Sequence, residues 1–340
     1  MLILPAANRV YAEASVELTQ AELGVFSETV LGGQIGEIRD EEIGGVRYVT
    51  FSVPELSDRQ KEFLANLSSI YALFGINENG TLTPVALTSM DRFDDDLISI
   101  QKYAGKTNEH FTKMLLNVTV LSSDSAEHMT GRTLRVFDPL CGRGTTLNQA
   151  IMYGYDADGM DRDRKDFEAY AAFLRTWLKR KRVKHTAEVA SVRRDRKMIG
   201  RRLDVSLGLA KEDYKAGDKR RLTVVNADTL KAGDFFSAST FDVIVADAPY
   251  GVQHGSRGKE GGLSRHPLDL LQDALPVWTP LLRRGGAVGI SWNTNVARRD
   301  DVVDIFTKNG LEVKDSGPYL RFGHRVDQAI VRDIIVARKP

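Results

Sequence analysis

From residue 133 onward, short apolar runs alternate with segments whose apolar positions recur every three or four residues. Leu134-Arg135-Val136-Phe137 predicts a strand and 145–153 a helix. A short strand ends near Asp161, and a helix follows over about 163–178. Leu222-Thr223-Val224-Val225 and Phe241-Asp242-Val243-Ile244-Val245-Ala246 are strand-like. The pattern then predicts a helix over 267–282, a strand over 287–292, a helix over 300–308 and a closing strand over 331–337. This alternation is that of an α/β fold, a mostly parallel sheet with helices on both faces. Ligands in that architecture bind beyond the carboxyl ends of the strands.

The first 100 residues pattern differently and predict a small α+β domain. Thr19-Gln20-Ala21-Glu22 has the form of a capping box, with Leu23, Phe26, Val30 and Leu31 at helical spacing behind it. Residues 46–53 are rich in β-branched and aromatic types and predict a strand, and 58–67 predicts a helix. A boundary region lies between 91 and 131. Within it, 108–121 reads as a helix with Phe111, Met114, Leu115 and Val118 on one face. The division is therefore 1–100 and 101–340.

Composition adds little: 42% hydrophobic and 27% charged over 340 residues is ordinary for a globular protein. No apolar run nears the roughly 18 residues of a membrane span, and the apolar start is too short for a signal peptide. A cytoplasmic protein without a membrane partner is expected. The single cysteine excludes an internal disulfide and a Cys-based zinc cage, and no metal is called for. The net charge of +1 hides an asymmetry, because residues 179–221 hold sixteen Lys or Arg against six Asp or Glu. Such an insertion either attracts phosphate backbones or is merely a solvated, partly disordered charged segment.

Candidate chemistry sits at the strand ends. In Asp138-Pro139-Leu140-Cys141-Gly142-Arg143-Gly144-Thr145-Thr146, Gly142 and Gly144 permit unusual backbone angles and close approach of a ligand. Thr145 or Thr146 can cap the following helix, whose amide-rich start favours a carboxylate. Such a turn suits S-adenosylmethionine (SAM), a dinucleotide or no ligand at all. Asp161, at the next strand end, can accept both hydroxyls of a ribose, with Asp163 as second choice. Asn226 and Asp228 end the third strand, where a side chain can accept from an adenine amino group or simply cap a helix.

In this order, DPLCGRGTT, GMDRD, NAD and DAPYG resemble the successive motifs of class I SAM-dependent methyltransferases. The resemblance is strongest to the tRNA guanine-N2 methyltransferases, in which a THUMP-type region precedes the catalytic domain. It spans about residues 106–340. It implies a Rossmann-like seven-stranded sheet with the last strand antiparallel, SAM as cofactor and tRNA as partner. It also implies an RNA-binding, THUMP-like role for the N-terminal domain. The segment 106–111 is similar to one that folds over the methionine part of SAM, so Thr107 and Phe111 are expected at the cofactor and Lys106 at its carboxylate. Cys141 sits in the cofactor turn as a small space-filling side chain. RNA carbon methyltransferases carry a nucleophilic cysteine elsewhere, after a proline.

The reaction is expected at Asp247-Ala248-Pro249-Tyr250-Gly251. An exocyclic amine is a poor nucleophile because its lone pair is delocalised into the ring. The Asp247 carboxylate and the Pro249 carbonyl can accept its hydrogens, and Tyr250 can stack on the base. Catalysis is then mostly positioning. The family's usual Asp/Asn-Pro-Pro-Tyr is altered here by Ala248. In the glycine-rich stretch that follows, His254 and Arg257 are expected to touch RNA phosphate. Alternatives are adenine-N6 or cytosine-N4 methylation of DNA, glutamine methylation, and a non-catalytic SAM- or nucleic-acid-binding module.

Overall fold

The computed structural model describes residues 1–4, 9–103, 105–248 and 267–340. The N-terminal part runs β1 (Leu2–Ile3), α1 (Arg9–Thr29), β2 (Gly36–Ile43), β3 (Val46–Ser52), α2 (Asp58–Leu64), β4 (Ile70–Ile76) and β5 (Leu82–Val85). Its strands form an antiparallel sheet in the order β2-β3-β1-β4-β5.

The expected capping box at Thr19 is not there. The helix starts at Arg9, and Thr19 sits inside it, donating to the Ser15 carbonyl at 2.6 Å. Threonine and glutamate three apart also lie on one helix face, and apolar Val16 and Leu18 carry the helix through the motif. Glu22 is fully buried, accepting from Ser68 N at 3.0 Å, Ser68 Oγ at 2.6 Å and Asn117 Nδ2 at 2.8 Å. Burial raises its pKa. A capping box does start α2, formed by Ser57 and Gln60.

After α3 (Asp96–Ser99), α4 (Glu109–Leu121) begins where the Asn108 side chain accepts from His110 N and Phe111 N. This helix is the seam of the molecule. Its Asn117 bonds both Glu22 and the Tyr153 hydroxyl, at 2.8 Å each, joining α1 to the end of α5 through a buried polar network. Apolar packing crosses the same seam: Phe26 and Phe63 share one core with Phe111, Val136 and Leu147.

The chain continues with β6 (Arg135–Asp138), α5 (Thr145–Met152), β7 (Asp156–Asp161), α6 (Arg164–Arg180), β8 (His185–Arg194), β9 (Lys197–Leu207), α7 (Lys211–Ala216) and β10 (Arg220–Asn226). Then come β11 (Phe241–Asp247), α8 (Pro267–Leu281), β12 (Leu282–Asn293), α9 (Arg299–Lys308), β13 (Glu312–Val313), β14 (His324–Arg325) and β15 (Val331–Arg338). The sheet order is β13-β15-β12-β11-β6-β7-β10-β9-β8, with β14 on β15. The central strands β12, β11, β6, β7 and β10 are parallel, and β15 runs antiparallel to β12.

Among the described residues the sheet therefore has ten strands, where seven were expected. The difference is β14 and the hairpin β8–β9, which the basic insertion folds into. Alternating burial along β8 and a ladder onto β10 make that insertion an ordered extension of the sheet. The register places Asp138, Asp161, Asn226 and Asp247 along one carboxyl edge, where Asn226 pairs with Asp161 and Asp247 with Ser291. Among the described residues, no helix is long and apolar enough to cross a membrane.

Candidate active site

A cleft of about 780 Å³ opens along this edge, a size ordinary for a small-molecule site. At one end lies the turn after β6. Asp138 is buried and its Oδ1 accepts from Leu140 N at 3.0 Å. Burial pushes its carboxyl up to about 7, against the lowering hydrogen bonds from Leu140 N and the Thr146 side chain. Both glycines have positive φ, +48° at Gly142 and +79° at Gly144, but they serve different needs. A Cβ on Gly142 would meet nothing within 4 Å, and this residue lines the cleft. A Cβ on Gly144 would sit 2.4 Å from the Tyr170 ring, so Gly144 makes room for that ring and not for a ligand. Gly144 also takes the N-cap position of α5, so neither threonine caps the helix. Thr145 Oγ1 lies 3.3 Å from the Tyr103 hydroxyl, and Thr146 bonds Asp138. Cys141 is buried and packs against Gly159, and burial raises its thiol pKa well above the ordinary value.

Asp161 ties this turn to β7. Its Oδ2 accepts from Gly142 N at 2.9 Å and its Oδ1 from Asp163 N at 2.7 Å. Burial raises its pKa. Asp163 caps α6 instead, through Lys165 N and Asp166 N. The two residues expected at adenine are engaged locally: Asn226 Nδ2 donates to the Asp161 carbonyl at 2.9 Å, and Asp228 accepts from Leu230 N at 3.0 Å. Neither lines the cleft, whereas the adjoining Thr229 does.

At the other end, Asp247 closes β11 and is gripped from three elements. Thr107 Oγ1 donates to its Oδ2 at 2.5 Å, and Ser291 Oγ on β12 donates to its Oδ1. Arg332 on β15 brings Nη2 to 3.8 Å. Arg332 is buried and its guanidinium stacks over the Phe111 ring at 4.3 Å. The His324 ring lies 5.4 Å from Phe111, and burial pushes its pKa down to about 4. Thr107 and Phe111 both line the cleft. Lys106 lines the cleft too, but its ammonium is already engaged, donating to the Ile98 carbonyl at 2.7 Å and pairing with Glu109. Pro249, Tyr250, His254 and Arg257 lie outside the described residues.

Sequence reasoning missed Ser291 and Arg332. Both sit on strands that reach the site only through sheet topology, and neither belongs to a motif. It also missed a second cavity, about 870 Å³, lined by Ile70 and Tyr71 from the N-terminal sheet and by Arg325 and Arg332 from the larger one. That cavity shares Lys106, Thr107, Val326 and Arg332 with the cleft.

SAM fits the first end: Gly142 leaves open space, and Asp161 offers carboxylate oxygens at the neighbouring strand end. Among the described residues, no three His, Cys, Asp or Glu are grouped to hold a metal. Residues 125–282 match the family model UPF0020, an RMKL-like methyltransferase domain. Fold neighbours include TrmN from Thermus thermophilus, with 17% identity and TM-score 0.38 over 72% of this chain. The chain spans about half of that neighbour, 52% of its length. The T. thermophilus 16S rRNA N2 G1207 methyltransferase RsmC shares 12% identity with TM-score 0.31, over 61% of this chain and 35% of that one. The precorrin-6y C5,15-methyltransferase of Geobacter metallireducens shares 11% with TM-score 0.39, over 74% and 98%. Scores this low carry no argument about substrate. No curated protein matches the chain.

Residues 125–282 are thus similar to a methyltransferase domain, and they lie on a sheet of the class I α/β type whose cleft fits SAM.

Proposed function

We propose that the chain methylates an exocyclic amino group of a base in RNA, with guanine N2 of a tRNA as the target. The observation that carries this reading is the grip on Asp247. Thr107 and Ser291 each donate to one oxygen of this carboxylate, and Arg332 places a positive charge beside it. The carboxylate is thereby held in one orientation in the lining of the cleft, as an acceptor to which an amine can present its hydrogens. The sequence that follows, Ala248-Pro249-Tyr250, offers a second acceptor in the Pro249 carbonyl and a ring to stack on the base.

The donor supplies an electrophilic methyl on its sulfonium. At its end of the cleft, Asp161 would accept the ribose hydroxyls, and Gly142 would leave the backbone open to the donor. Asp247 holds the amine hydrogens and draws the nitrogen toward the pyramidal geometry that attack requires. The methylated nitrogen gives its extra proton to solvent, so no strong base is needed. Such catalysis consists of positioning. A folded RNA must turn the base out of its stack to reach Asp247. The second cavity, contiguous with the cleft at Thr107 and Arg332, offers the space through which the strand carrying that base can approach.

Mass spectrometry of RNA nucleosides from cells with and without the gene tests this reading. Loss of one N-methylated nucleoside from the tRNA fraction is expected. An unchanged RNA profile beside a lost methylated base in DNA would overturn it.

A further inference from the structure

The basic hairpin is the strongest feature the proposed chemistry leaves unused. Its register decides where its charge lies. Strand β9 runs antiparallel to β10 with Arg201 opposite Asn226, the residue at the carboxyl edge. Residues 197–200 therefore project beyond that edge, by roughly 13 Å at the rise of an extended strand. The tip of the hairpin rises on the same side as the cleft, and α7 follows at the opposite edge, where Leu207 pairs with Arg220.

The charge is concentrated at this tip. Arg193, Arg194, Arg196 and Lys197 are all exposed, with Asp195 the sole acid among them. Arg194 is paired with Asp234, while Arg193, Arg196 and Lys197 have no acidic partner among the described residues. The turn itself places Asp195 and Arg196 at φ +49° and +65°. Two-residue hairpin turns of that kind favour Asn and Gly, so Arg196 occupies a position disfavoured for its type. Protection of a bare sheet edge against aggregation would spread cations along the strand. The outer strand β8 has none between His185 and Val192.

Between the tip and the cleft, arginines alternate with acids. Arg201 Nη1 and Arg164 Nε share Glu168, at 2.7 and 2.9 Å, and Arg162 beside them lines the cleft. Four strand intervals separate β9 from Asp247's β11, about 19 Å at ordinary strand spacing. That is a reach of several nucleotides, too far to touch the target base.

We infer that the β8–β9 tip is a docking arm for the phosphate backbone of the RNA that flanks the methylated nucleotide. This rests on the RNA reading of the active site. The arm contributes to affinity for a long RNA and not to the transfer step.

The test compares R193E/R196E/K197E with K211E/K215E, which reverses exposed charges in α7 at the far edge. Binding of an in vitro transcribed tRNA is measured by anisotropy across salt concentrations, with methyl transfer measured in parallel. The tip variant is expected to raise Kd and KM for the tRNA by about 100-fold at low salt. It should lower the slope of log K against log salt by about 2, since each lost phosphate contact removes a little under one unit. SAM affinity and kcat at saturating RNA should stay within about 3-fold of the parent, and the α7 variant should bind RNA nearly as the parent does. Equal losses in both variants, or an unchanged salt slope at the tip, would overturn the arm. So would a tip-dependent preference for duplex DNA over the tRNA. Binding that depends on the tip, without any methyl transfer by the parent, would retain the arm and reject the RNA methyltransferase reading.

Discussion

The two ends of the cleft are built by different means. At the turn after β6, the polar groups are satisfied mostly by backbone close by: Asp138 by Leu140, and Asp161, at the end of the adjoining strand, by Asp163 and by Gly142 of the turn. At β11, Asp247 is held by Thr107, 140 positions earlier, by Ser291 and by Arg332. The first end is a backbone cradle and tolerates change in distant side chains. The second depends on side chains converging from three elements, and is sensitive to each of them. Cofactor binding and methyl transfer should therefore come apart under mutation.

Asp247→Ala makes the largest break. Transfer should fall on the order of 10³-fold, the scale of losing a preorganised polar group. SAM binding, read by calorimetry, should change by less than about 3-fold. A parallel loss of SAM binding would merge the two ends. Asp161→Ala is the converse, expected to weaken SAM binding about 10- to 100-fold through lost hydrogen bonds to a charged group. Its kcat at saturating SAM should be nearly that of the parent.

Thr107→Val and Ser291→Ala should each lower kcat by about 10-fold. Because both hold the same carboxylate, the double variant should lose less than the product of the two. Strict multiplicativity would show that they act separately.

The smallest effect concerns pH. The Asp138 carboxyl stands at about 7 in the folded protein, against an ordinary 3.8. The folded state thus holds a proton that the unfolded chain releases. This contribution is complete below about pH 4 and is lost as pH rises through 7. The parent's Tm should fall between about pH 4 and 7, and Asp138→Asn should flatten that fall. Glu22, also raised by burial, leaves a residual slope. An identical slope in the variant would exclude Asp138 as a source.

This contrast also explains what the sequence disclosed. The strands from Arg135 to Asp161 and the turn between them could be read directly, because local spacing specifies both. The same local reading misplaced the helix start at Thr19, where a cap-like spacing fell inside a longer apolar pattern. It assigned Gly144 to a ligand, although the Tyr170 ring, 26 positions away, is what requires a glycine there. The basic insertion showed its charge but not its shape, because strands β8 and β9 are specified by pairing with each other and with β10. Ser291 and Arg332 carry no local signal, since only the sheet order brings β12 and β15 beside Asp247.

The most direct test of the account is the identity of the atom that receives the methyl group. Unmodified tRNA is incubated with the protein and methyl-labelled SAM, digested to nucleosides and analysed by mass spectrometry. The account predicts label on an exocyclic nitrogen, as N2-methylguanosine, and its loss with Asp247→Ala. Label on a ring carbon or a ribose oxygen, or no label in any RNA, would contradict it.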